Sequence, residues 1–114
     1  MDNKVVIPKA FESSHDLECM ILTSLLGTLV SLQNDLISFA QAENYWLSDI
    51  SADLFEQFEF SQEIADLIKE GTALKELLSF PALYQQRLSE LIQKTKNMIA
   101  QYYTDYNTNK EMLN

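Results

Sequence analysis

A run of apolar residues between Leu17 and Ala40 constrains this chain more than any other feature. Leu22, Leu25, Leu29, Leu32, Leu36 and Phe39 recur at alternating steps of three and four, with Ile21, Leu26, Val30 and Ile37 widening the seam. That spacing places them on one face of an α-helix. At about 1.5 Å per residue such a helix runs roughly 35 Å, too long to bury its face against one short partner. Several further helices are needed to cover it.

The rest of the composition agrees with helices. Two glycines and two prolines in 114 residues leave almost no turn chemistry for a sheet with many hairpins. The length suits one domain with a core of its own. The single cysteine, Cys19, has no internal partner for a disulfide, so a reducing, cytoplasmic compartment is expected. A formal net charge of -9 disfavours nucleic acid and anionic membranes as partners. Export and membrane signals are weak: Val5, Val6 and Ile7 stop at Pro8, which is no signal-peptide core. Cys19 to Asn34 is uncharged but falls short of the about 20 residues a membrane span needs, and it contains Thr23, Ser24, Gly27, Thr28, Ser31 and Gln33.

Read in order, residues 1–12 form an extended or frayed arm, 13–106 a helical domain and 107–114 a frayed tail. The spacing predicts an all-α antiparallel bundle of about four helices, two of them long, near 13–42, 44–59, 61–79 and 81–104. Ser13 and Ser14, followed by Asp16 and Glu18, resemble a capped helix start. Gly27 inside the first helix allows either close approach of a neighbour or simple tolerance. Asn44 is the expected break before a second helix carrying Trp46, Leu47, Ile50, Leu54, Phe55 and Phe58 on one face. Ser61 caps a third, with Ile64, Leu67, Ile68, Leu74, Leu77 and Leu78. Gly71 either lies within that helix or ends it. Pro81 opens the last helix, whose stripe is Tyr84, Leu88, Leu91, Thr95, Met98 and Tyr102.

Catalytic constellations are missing. His15 is the only histidine, so no two-histidine metal site and no Cys-His or Ser-His-Asp arrangement can form. There is no glycine-rich phosphate loop. Cys19 in an apolar helix reads as a small hydrophobe, not a nucleophile. No cofactor and no enzymatic activity are expected.

What remains is interaction with a protein. Residues 1–60 hold ten acids and two bases, and Asp49, Asp53 and Glu56 fall on the polar face of the second helix. That face is either a solvated surface or a docking patch. Tyr45 and Trp46 at the first corner, with Tyr102, Tyr103 and Tyr106 near the C-terminus, have the large apolar bodies and polar tips that suit interfaces. They either bind a partner or close the two ends of the bundle.

The stretch from Leu36 through Tyr45-Trp46 to Ile50 resembles the first-to-second helix corner of FliT-like flagellar export chaperones. There a leucine-rich helix ends in a small polar turn before a Trp and a second acidic-leucine helix. Leu83-Tyr-Gln-Gln-Arg-Leu-Ser-Glu-Leu91, followed by Tyr102 and Tyr103, looks like the family's later helix. The family's late helix is continuous, so Gly71 and Pro81 mark a departure. The resemblance implies a cytoplasmic bacterial chaperone that holds the amphipathic C-terminal segment of a filament-cap client in a helix-lined groove for type III export. The acidic face allows another reading, an immunity- or antitoxin-type inhibitor occluding a basic toxin active site. A third is a non-catalytic helical homodimer.

Overall fold

From Ser14 onward no residue breaks the helical pattern for five turns, and α1 runs Ser14–Gln33. The computed structural model describes residues 14–48, 53 and 62–112. Within them α2 is Phe39–Tyr45, α3 is Gln62–Ala73 with a 3₁₀ turn at Leu74–Leu77, and α4 is Pro81–Met112. The described residues contain no strand, and the fold is an all-α helical bundle. The segment carrying Ile50, Leu54, Phe55, Glu56 and Phe58 lies outside the described residues, apart from Asp53, which is helical and exposed.

The long apolar seam is not one helix. The sequence predicts a first helix to residue 42, but α1 ends at Gln33 and the chain restarts at Phe39. The stop is made by the backbone. Asp35 takes φ 55, the left-handed conformation in which a helix commonly ends. Leu36 N then donates to Ser31 O at 2.9 Å and Asp35 N to Leu32 O at 3.2 Å, the paired bonds of a Schellman cap. Asn34 Nδ2 satisfies one more carbonyl, Val30 O, at 2.8 Å. The restart is a capping box: Ser38 Oγ accepts from Gln41 N, and Ser38 N donates to Gln41 Oε1. Asn44 accordingly does not break a helix; it lies within α2, and the chain turns at Trp46 to Ser48 instead.

Two bonds fix the direction of packing. Tyr102 donates its hydroxyl to Glu18 Oε2 at 2.9 Å, and Gln33 Nε2 donates to Ser89 Oγ at 3.2 Å. The start of α1 thus lies beside the far part of α4, and its end beside the near part, so the two helices are antiparallel. Between those bonds Leu22, Leu25 and Leu29 of α1 and Leu88 and Leu91 of α4 are buried together. Thr95 is fully buried within the same stripe because its hydroxyl donates to Leu91 O at 2.7 Å, removing the cost of an unpaired group. By length and composition Asp16–Gln33 is a membrane-span candidate. Of its leucines, Leu17, Leu22, Leu25, Leu29 and Leu32 lie in the core of the bundle and Leu26 packs partly buried against it.

Ile64, Leu67, Ile68 and Leu74 complete the core from α3 and its 3₁₀ turn. Helix α3 passes through Gly71 without a break. Gly71 is buried, and a Cβ there would lie 2.6 Å from Leu47 Cδ2. Close approach therefore belongs to Gly71. Gly27 is exposed with nothing within 4 Å of its missing side chain, so it is merely tolerated. Helix α4 begins at Pro81 as its missing N–H permits, and Tyr84 N donates to Phe80 O at 2.9 Å. It continues to Met112, past the predicted end near residue 104 and through most of the segment expected to fray. After Pro81 the chain holds no glycine or proline to stop it.

Candidate partner-binding surface

The predicted aromatic residues fall at separate places. Tyr45 is the last residue of α2 and is exposed. Trp46 follows it, its backbone N–H donating to Ala42 O at 3.1 Å and its side chain partly buried against the core. Leu47 is fully buried against Gly71. Next to Gly71, Glu70 accepts from Lys94 Nζ of α4 at 3.1 Å. Tyr102 lies about two turns farther along α4, partly buried and bonded to Glu18. Tyr103 and Tyr106 also belong to α4. On the acidic side Asp53 is exposed, while Asp49 and Glu56 lie outside the described residues.

A different group of residues forms an apolar surface. Past the end of α1 Leu36 is 74% exposed, and at the turn into α4 Phe80 is 57% exposed, Leu83 53% and Leu78 46%. The sequence stripes assign Leu36 and Leu78 to the core. The Schellman turn swings Leu36 off the α1 face, and the turn after the 3₁₀ segment, with Phe80 N bonded to Leu77 O at 2.8 Å, carries Leu78 outward. Leu83 was legible in principle: it sits one residue before Tyr84, out of phase with the buried stripe of α4. Beside these residues lies an open groove of about 230 Å³, lined by Leu77, Leu83, Gln86, Arg87 and Glu90. Leu77 and Leu83 supply its apolar part. Its polar wall is one face of α4, on which Arg87 and Glu90 pair at 3.4 Å with both side chains more than half exposed. Such an exposed pair contributes little to stability and leaves both charges accessible.

Cys19 and Tyr84, near the two ends of α1, hold their protons more tightly than usual. Burial, and then the charge of Asp35, push the Tyr84 hydroxyl above the usual tyrosine range. Burial, with Asp16 and Glu18 nearby, likewise pushes the Cys19 thiol up. A thiol shifted that way is a poor nucleophile at neutral pH. Among the described residues no group of three or more His, Cys, Asp or Glu side chains is placed to hold a metal ion. Lys75 pairs with Glu43 at 3.3 Å, tying the turn before α4 to α2.

Residues 12–114 match the model of a family described as protein of unknown function, DUF3969, and the chain belongs to that family. No curated protein and no solved structure matches it.

Proposed function

We propose that this member of the DUF3969 family is a non-catalytic, cytoplasmic chaperone of the flagellar, type III export kind, which captures an amphipathic C-terminal segment of a filament-cap client. One observation carries the reading: Leu78, Phe80 and Leu83, within six residues at the turn into α4, are exposed, and Leu36 just past the end of α1 is exposed as well. Exposed large apolar residues close together in the chain are candidates for a binding surface. The stretch Leu83 to Leu91, which resembles the later helix of the export chaperones, borders the groove through Leu83, Gln86, Arg87 and Glu90.

The mechanism is helix-in-groove capture. In water an amphipathic segment exposes its apolar stripe and associates with itself. Laid against Leu78, Phe80 and Leu83, the stripe loses water on both sides, at about 25 cal/mol for each Å² removed. The bound client is thereby kept soluble and unassembled until it is passed on. The net charge of -9 would keep the chaperone–client pair dispersed.

The test is calorimetric titration with the C-terminal segment of a filament-cap protein encoded in the same genome. Binding that brings helical circular dichroism in the client is the expected outcome. A segment that shows no binding, while a neighbouring nuclease toxin is inhibited stoichiometrically, replaces the chaperone by an inhibitor.

A further inference from the structure

We draw no further inference here: the strongest candidate, the exposed apolar patch of Leu78, Phe80 and Leu83 with the open groove beside it at the turn into α4, carries nothing beyond the capture already proposed, because nothing in the structure shows what covers it.

Discussion

Leu47 occupies the space in which Gly71 would carry a side chain: a Cβ on Gly71 would lie 2.6 Å from Leu47 Cδ2 and 3.7 Å from its Cδ1 and Cγ. Leu47 is fully buried, so making room for that Cβ means turning its side chain against its core neighbours. Helix propensity alone favours alanine over glycine by about 1 kcal/mol. Overpacking a filled site costs about 1–3 kcal/mol, which is the larger effect. Gly71→Ala should therefore lower stability, whereas Gly27→Ala, with nothing within 4 Å, should raise it by about 0.5–1 kcal/mol. Urea denaturation of the two variants beside the parent reads both signs.

Leu29 sits in the middle of the α1 stripe and is 1% exposed. Leu29→Ala removes buried methyl groups and leaves a cavity, at a cost of about 2–5 kcal/mol. A loss below about 1 kcal/mol in the same denaturation series would mean that this face is not the interior of the monomer.

The α1–α2 break rests on Ser38 and Asp35. Ser38→Ala deletes a cap that accepts from Gln41 N at 3.2 Å and should cost about 1 kcal/mol. Asp35→Gly relieves a side chain held at φ 55 and should stabilise the protein or leave it unchanged. Both changes are read from thermal melts. A Ser38→Ala protein as stable as the parent would show that the second helix is held by packing alone.

These residues also show what was legible beforehand. The periodicity of Leu22 to Phe39 located the buried face at Leu22, Leu25, Leu29, Leu32 and Phe39, which are all core residues, but not at Leu36, which is exposed. It did not reveal the interruption, since a five-residue turn between two helices can return the next helix to the same face. The cues were present in Asn34-Asp35 and in Ser38-x-x-Gln41, but apolar spacing outweighed them. The last helix was legible from Pro81 and its stripe, and its length from the lack of any later breaker. The candidate surface was harder to read. Trp46 and Tyr102 have interface chemistry, yet whether a ring is covered depends on distant neighbours such as the core beside Trp46 and Glu18 beside Tyr102. Exposure of Leu78 and Phe80 is set by the direction of the turn into α4, which no periodicity encodes.

Cys19 supplies a pH-dependent prediction. Its thiol is pushed above the ordinary value of 9.0 by burial and by Asp16 and Glu18. The folded protein therefore holds the thiol proton to higher pH than the unfolded chain does. The associated stability is complete below the unfolded value and is lost as pH rises through the folded one. Iodoacetamide should label native Cys19 slowly at neutral pH and faster only above pH 9, while protein unfolded in urea labels faster at every pH. Rapid native labelling at pH 7 would contradict the placement of Cys19 beside those acids.

The central claim is that this chain binds its partner through apolar surface and not through its acidic face. Its most direct test is titration of the client segment into two variants, Leu83→Asp and the triple charge reversal Asp49→Lys, Asp53→Lys, Glu56→Lys, at low and high salt. Apolar capture predicts that Leu83→Asp loses binding by about tenfold or more, that the charge-reversed protein keeps it, and that salt changes affinity little. Loss of binding in the charge-reversed protein, with Leu83→Asp unaffected and affinity falling steeply as salt is added, would contradict the account.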